Sequence, residues 1–215
     1  MPLYVFALVD RAPAHAGRGL SGPVAIRRVR GAFAAVERRA DVPPLDFGAL
    51  QAHERIVDRL ASIVPAILPV RFGTLLTVAE LDAALDDRAD DVNEAFDRVR
   101  GRVQFTWRSA GGGATSRVRP SAVRARSGAD YLRRAARAAR PSPPPSFRRA
   151  AGLRALAEDE RFAAATALLP AALYHLVDRR RADAYVSAAA DVRAQARGLT
   201  CSGPFAPYAF APELL

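Results

Sequence analysis

The chain has 215 residues, half of them hydrophobic, so it is long enough to build a buried core. Its 32 basic and 22 acidic residues give a net charge of +10, and every basic residue is arginine, because the sequence contains no lysine. The chain therefore lacks the phosphate-binding lysine of a Walker A loop and the amine of a Schiff-base enzyme, and both classes are excluded. The single cysteine, Cys201, has no partner for an internal disulfide and cannot form a thiolate metal site alone.

The N-terminal apolar run, residues 3–9, is not preceded by basic residues, and it predicts a strand rather than a signal peptide. No apolar run reaches the roughly 18 to 20 residues of a transmembrane helix. The best one, residues 163–173, is short and contains Pro170. We therefore expect a soluble, cytoplasmic protein, with no membrane partner.

The first half of the sequence predicts an α+β domain over residues 1–101. Residues 3–9 predict a strand buried on both faces, and residues 24–30 and 32–38 predict a hairpin that turns at Gly31. The predicted elements that follow are a helix over residues 45–62, an apolar strand ending within residues 67–74, a helix around residues 78–85, and a helix over residues 92–99 that ends at Gly101. One face of the first helix is indicated by apolar positions at steps of three and four: Leu50, His53, Val57, Leu60 and Val64.

The second half, residues 102–215, predicts a ferredoxin-like domain with an Arg/Pro-rich insert at about 110–150 and a C-terminal tail. Residues 102–108 alternate apolar and polar side chains, which is typical of a half-buried strand. Helices are predicted over residues 127–140, 147–156 and 182–196, a proline-rich break over 141–145, and strands over 161–168, 171–177 and 199–202. The order strand, helix, strand, strand, helix, strand is that of a split βαβ fold.

Three patterns allow a chemical or a structural interpretation. Residues 17–22 match the dinucleotide motif G-x-G-x-x-G, but they precede a predicted strand instead of joining a strand to a helix, which favours a flexible loop. His15, His53 and His175 lack metal-ligand spacing, and no serine or cysteine motif gives His175 a nucleophile to activate. His53 lies on the apolar helix face, which favours a hydrogen-bonded core histidine. We predict no enzyme, no metal and no cofactor.

Two charged stretches remain. An acidic cluster at helical spacing is open to cation binding or acid–base chemistry, but it favours a solvated face: Asp86, Asp87, Asp90, Asp91, Glu94 and Asp97. Residues 117–154 hold eleven arginines and one acid, and so carry the whole net charge. That stretch is open to nucleic-acid binding, but with only two aromatic residues for base stacking it favours an acidic protein surface or a solvated insert.

Two separated motifs resemble the GvpF/GvpL family of gas vesicle proteins. The first comprises residues 53–57, HERIV, followed by residues 68–74, LPVRFGT, and the second is GPFAPYAF at residues 203–210. Weaker similarities lie at residues 101–103, at Gly128, Tyr131 and Leu132, and at residues 173–177. The sequence departs from the family between about residues 110 and 126 and in the proline run.

The resemblance implies an accessory or minor structural protein, in the cytoplasm or on the inner surface of the gas vesicle. Such a protein would bind the small hydrophobic shell protein and support gas vesicle assembly, with other gas vesicle accessory proteins as further candidate partners. Arg71 is either an anchor of its strand end or a partner contact, and the tail either folds back on the first domain or contacts a partner. The candidate partner-binding residues are Arg71, Phe72, Phe205, Pro207, Tyr208 and Phe210. The alternative function is an arginine-rich nucleic-acid-binding protein.

Overall fold

The computed structural model describes residues 1–86, 88–109, 143–166, 169–196 and 198–212. The chain forms two compact units, Met1–Gln104 with Pro204–Leu215, and Phe105–Gly203. The helix predicted over residues 127–140 and most of the arginine-rich stretch lie outside the described residues. The predicted α+β class is confirmed by two sheets with helices between their strands, while the domain boundary after residue 101 stays a prediction.

The first unit is built on a sheet of order β2-β3-β1-β4, in which a fifth strand, β5, also pairs with β1. Its elements are β1 Leu3–Val9, β2 Ala25–Val29, β3 Ala32–Arg38, α1 Phe47–Ile63, β4 Ile67–Pro69, β5 Leu75–Leu76, α2 Val78–Asp86 and α3 Ala89–Val99. All the predicted strands and helices of this half are present, and the two-residue strand β5 is additional. The hairpin between β2 and β3 turns at Gly31, whose φ of +69° lies in the left-handed region.

Strand β1 lies at the centre of this sheet, with all seven residues buried. It pairs antiparallel with β3 on one side and with β4 and β5 on the other. Helix α1 begins after Asp46, whose side chain accepts a hydrogen bond from the Ala49 N–H, and its buried face includes Ile56, Val57 and Leu60. Leu50 was expected on that buried face but is 41% exposed, because the buried stripe of α1 starts one turn later, at His53.

The four-stranded sheet has the order β7-β8-β6-β9. Its elements are β6 Arg102–Ser109, α4 Arg148–Ala151, β7 Asp159–Ala163, β8 Ala172–Asp178, α5 Ala182–Gln195 and β9 Leu199–Phe205, with short 3₁₀ helices at Pro145–Phe147 and Gly152–Leu156 on either side of α4. With β6 as the first strand and β9 as the fourth, this is the strand order of a split βαβ sheet. The arrangement is therefore compatible with the predicted ferredoxin-like fold.

Three strands of this half differ from their predictions. Strand β7 starts two residues earlier than expected and ends at Ala163, and β9 continues to Phe205. Strand β6 was predicted to be half-buried, but its polar residues Gln104 and Thr106 are buried as well. For Gln104 the reason is the tail, since the Ala209 N–H donates to its Oε1 at 2.7 Å and satisfies the buried amide oxygen.

The loop with the G-x-G-x-x-G pattern is fixed by a carboxylate of the first unit. Glu37, on β3, is buried, and it accepts hydrogen bonds from the N–H groups of Leu20, Ser21 and Gly22 and from the Ser21 hydroxyl, at 2.6–2.9 Å. Burial alone would raise the pKa of Glu37, but these hydrogen bonds outweigh burial and lower it. The loop therefore already holds an anion, the side chain of Glu37, and its described geometry gives the pattern a structural role.

We predict that Gly19→Ala destabilises this loop. A β-carbon at position 19 would lie 2.1 Å from Oε2 of Glu37, so the carboxylate has to move and its hydrogen bonds weaken. The expected loss in the free energy of unfolding is about 1–3 kcal/mol, measured by urea denaturation. Gly22→Ala is the matched control, because its β-carbon would meet Glu37 Oε1 at an ordinary 3.6 Å. Equal losses in the two variants would contradict the prediction.

Candidate functional site

The turn at residues 71–74 follows β4 and contains two of the predicted partner-binding residues. Arg71 is exposed, and Phe72 is half-buried. The Phe72 ring packs edge-on against Tyr4 and His53, with ring centroids 6.2 and 5.7 Å apart. Gly73 has a φ of +92°, which a residue with a β-carbon rarely adopts. The turn therefore has a fixed shape, with Phe72 beneath it and Arg71 on its outer side.

A tyrosine–histidine pair supports this turn from below. The Gly73 N–H donates to the Tyr4 hydroxyl at 3.2 Å, and that hydroxyl lies 3.0 Å from Nδ1 of His53. Since the backbone N–H can only donate, the tyrosine hydrogen is left to donate to His53 Nδ1. His53 is 3% exposed, which confirms the interpretation as a hydrogen-bonded core histidine.

His53 is neutral at physiological pH. Burial lowers its pKa to about 4, and a contact with the Val70 backbone offsets only part of that effect. Its Nε2 atom has no partner in full hydrogen-bond geometry within the described residues. A charged imidazole here could no longer accept the Tyr4 hydrogen, because both ring nitrogens would then be donors.

The C-terminal tail, the second part of the predicted site, folds back onto the first unit. Pro207 is buried, and Phe210 is only 1% exposed. Tyr208 packs against the hydrophobic core cluster that contains Tyr4 and Val57. Phe205 and Tyr208 keep part of their surface accessible. Of the six predicted residues, Pro207 and Phe210 thus hold the tail in place, and the other four present accessible surface.

Helix α1 contacts both parts of the predicted site. On one side its His53 packs against Phe72. On the other, Asp58 accepts a hydrogen bond from the Ala206 backbone, and burial together with the nearby Glu54 raises the pKa of Asp58. Burial and the same two carboxylates also raise the pKa of Tyr208. The turn and the tail therefore border the same helix.

Four exposed apolar side chains lie close together in the sequence at the start of α1, outside the predicted partner-binding residues. They are Val42, Leu45, Phe47 and Leu50, and we call them the α1 apolar patch. Leu45 is 80% and Phe47 is 76% exposed. A β-carbon on Gly73 would lie 3.5 Å from Cγ1 of Val42, so Val42 borders the turn at residues 71–74. The signal in the sequence was that Val42, Leu45 and Phe47 fall outside the helical stripe that forms the core.

The other candidate sites do not gain a chemical role. In the acidic cluster, Asp87 lies outside the described residues, and the arginine partners of four other members lie at 3.1–3.6 Å: Arg30 with Asp86, Arg88 with Asp91, Arg98 with Glu94, and Arg100 with Asp97. No group of three or more histidine, cysteine or acidic side chains in the described ranges is placed to hold a metal ion. Within the same ranges, no helix is long and apolar enough to cross a bilayer.

We predict that His53 makes stability depend on pH. The unfolded chain protonates this histidine near pH 6.5 and the folded chain only near pH 4, so the unfolded state binds more protons between these values. The free energy of unfolding should therefore decrease as the pH is lowered through this window. His53 should contribute about 3 kcal/mol to that decrease.

Urea denaturation from about pH 7 to about pH 4 measures this effect. The decrease should be smaller by that amount in His53→Gln, which has no titrating group at this position. Replacement of the exposed His15 by glutamine is the matched control and should leave the wild-type decrease unchanged. If His53→Gln keeps the full decrease, the assignment to His53 is wrong.

Comparisons with known proteins agree with the fold. The family model described as "Gas vesicle synthesis protein GvpL/GvpF" matches residues 2–110, just over half of the chain. Among curated protein sequences, none matches. The crystal structure of the gas vesicle protein GvpF from Anabaena sp. PCC7120 is 14% identical and has a TM-score of 0.68, with 98% of this chain and 96% of that chain covered.

The crystal structure of GvpF from Microcystis aeruginosa is similar to the same extent. It is 14% identical and has a TM-score of 0.70, and the alignment covers 98% of this chain and 99% of that chain. These likenesses extend the shared fold to the described residues beyond the part that the family model matches. The match over residues 2–110 also includes β1, α1 and the turn that follows β4. On this evidence the chain belongs to the GvpL/GvpF family of gas vesicle synthesis proteins.

Proposed function

We propose that this gas vesicle protein is an accessory factor that binds the small hydrophobic shell protein and supports its assembly. Membership of the GvpL/GvpF family implies a role in gas vesicle formation. The observation that carries the finer proposal is the α1 apolar patch, where Leu45 and Phe47 leave most of their surface in solvent. Adjacent exposed apolar side chains are typical of a protein contact surface.

The physical reason for such a factor lies in the shell subunit. A small subunit that forms a hydrophobic shell exposes apolar surface before it is incorporated, and exposed apolar surface leads to aggregation. A protein with its own exposed apolar patch covers that surface reversibly and releases the subunit at the growing shell. The proposal requires binding and release, and it assigns no catalysis and no cofactor to this chain.

The proposed contact surface extends from the patch to the neighbouring turn and tail. Val42 lies beside Gly73, which brings Arg71 and Phe72 next to the patch. Phe205 and Tyr208 contribute their accessible surface, and the buried Pro207 and Phe210 act by holding the tail on the first unit. Other gas vesicle accessory proteins are further candidate partners, and the proposed location is the cytoplasm or the inner surface of the vesicle.

We predict that the double variant Leu45→Ser, Phe47→Ser binds the shell protein at least about tenfold more weakly than the wild type. The reason is that each of these side chains contributes about 1.5–3 kcal/mol when it is fully buried in a contact. The assay is co-expression with the shell protein, followed by pull-down and a solubility measurement at low and at high salt. Leu169→Ser, which alters an equally apolar and 68% exposed side chain of the second unit, is the matched control.

The outcomes of this assay separate the proposals. Soluble shell protein retained at high salt by the wild type and the control, but lost with the double variant, supports the apolar patch. Retention at low salt only would move the contact to charged residues, because screening weakens ionic contacts. No retention, together with co-purified absorbance near about 260 nm, would favour the nucleic-acid-binding alternative, whose affinity falls steeply with salt.

A second variant tests the tail. Phe205→Ala with Tyr208→Ala removes accessible aromatic surface beside α1 and should weaken shell-protein binding by a similar factor. Because Tyr208 also packs against the core, urea denaturation of the variant must show that it is folded under the assay conditions. Full binding by this folded double variant would remove the tail from the proposed surface.

A further inference from the structure

The second unit contains a buried chain of four hydrogen-bonded side chains. The indole N–H of Trp107 on β6 donates to the Tyr185 hydroxyl of α5 at 2.8 Å. That hydroxyl lies 2.6 Å from Nδ1 of His175 on β8, and Nε2 of His175 lies 3.0 Å from a carboxylate oxygen of Glu160 on β7. Trp107, Tyr185 and His175 have no exposed surface, and only Glu160 reaches solvent in part.

The donors and acceptors of this chain have a fixed direction. An indole N–H can only donate, so the Tyr185 oxygen accepts from Trp107 and its hydrogen is available to His175. Nδ1 of a neutral His175 accepts that hydrogen, and the imidazole proton therefore lies on Nε2 and is donated to Glu160. In this arrangement Trp107, Tyr185 and His175 are all satisfied, which stabilises the contact of α5 with the sheet.

Protonation of His175 reverses only one hydrogen bond of the chain, the one between Tyr185 and His175. The added proton binds to Nδ1, which then becomes a donor to Tyr185, while Nε2 keeps its contact with Glu160 and gains an ion pair. The Tyr185 oxygen now faces two donors, and among the described members of this network no acceptor remains for its own hydrogen. An unsatisfied buried hydroxyl is costly, so the strain falls on Tyr185 and α5, whereas β7 stays bound.

We propose that Tyr185 is a proton-sensitive latch, which holds α5 against the sheet while His175 is neutral and loosens α5 when His175 takes up a proton. The loosened helix exposes a surface of the second unit that is covered at neutral pH. The device is independent of the α1 apolar patch, since all its residues belong to the second unit. It adds a response to acid to a protein whose proposed role is binding and release.

The groups around His175 determine the pH at which α5 loosens. Burial lowers the pKa of His175; the hydrogen bond and the charge of Glu160 oppose this effect, and the charge of Arg154 adds to it. Cys201 on β9 lies near Tyr185, and burial raises the pKa of its thiol to about 11, so it stays neutral in this range although Arg193 acts in the opposite direction. His175 should therefore take up its proton at a pH below the ordinary pKa of histidine.

The test uses the intact protein and two measurements. Trp107 is the single tryptophan of the chain, so its fluorescence reports on this network alone. Hydrogen exchange, corrected for its intrinsic dependence on pH, compares the protection of α5 with that of β7. Between about pH 7 and about pH 4, we expect a reversible change in emission and a loss of α5 protection about tenfold greater than that of β7.

Three variants make the test specific. Glu160→Gln removes the charge that favours the imidazolium, so the transition should move to lower pH. Tyr185→Phe has no hydroxyl hydrogen to leave unsatisfied, and its α5 protection should no longer depend on pH. His53→Gln, which alters the other buried histidine, should keep the wild-type transition. The proposal is overturned if Glu160→Gln leaves the transition unchanged, or if α5 and β7 lose protection equally in the wild type.

Discussion

The first unit depends on one constraint, which is that strand β1 is buried along its whole length. A buried strand has to pair all its N–H and C=O groups within the protein, so it needs neighbours on both edges. The hairpin strand β3 provides one neighbour, and β4 with β5 provides the other. Between β4 and β5 the chain leaves the sheet as a turn, yet the Val5 N–H still reaches the Thr74 carbonyl and the Phe6 carbonyl still accepts from Val70. The turn that carries Arg71 and Phe72 therefore forms where the pairing of β1 allows it.

Each unit uses a tyrosine hydroxyl to connect a group that can only donate with a buried histidine. In the first unit the donor is the Gly73 N–H and the histidine is His53. In the second unit the donor is the Trp107 indole and the histidine is His175. The difference is at the other ring nitrogen, because His175 faces the carboxylate of Glu160 whereas His53 is surrounded by aromatic rings. Burial lowers the pKa of both histidines, but only His175 has an anion beside it that favours protonation.

Local patterns in the sequence predict the elements of the first unit well and its surfaces less well. The apolar run of β1, the hairpin at Gly31 and the stripe of α1 from His53 onward each depend on neighbouring residues, and each was confirmed. The burial of Gln104 depends on Ala209, more than a hundred positions later, and the exposure of Leu50 depends on where α1 meets the sheet. The candidate site was predicted in part for the same reason. The turn and tail have recognisable sequence motifs. The residues of the α1 apolar patch are recognised only by their exposure in the folded chain, which no local motif encodes.

The loop at residues 17–22 has an anion-binding geometry, but a side chain of the protein already occupies it. Its backbone donors are already occupied by Glu37, and Gly19 is needed because the carboxylate takes the space of a side chain. Free phosphate or a nucleotide would have to displace a tethered anion whose effective concentration is very high. The conformation of this loop should therefore be insensitive to the concentrations of free phosphate and nucleotides, although the chain as a whole carries a net charge of +10.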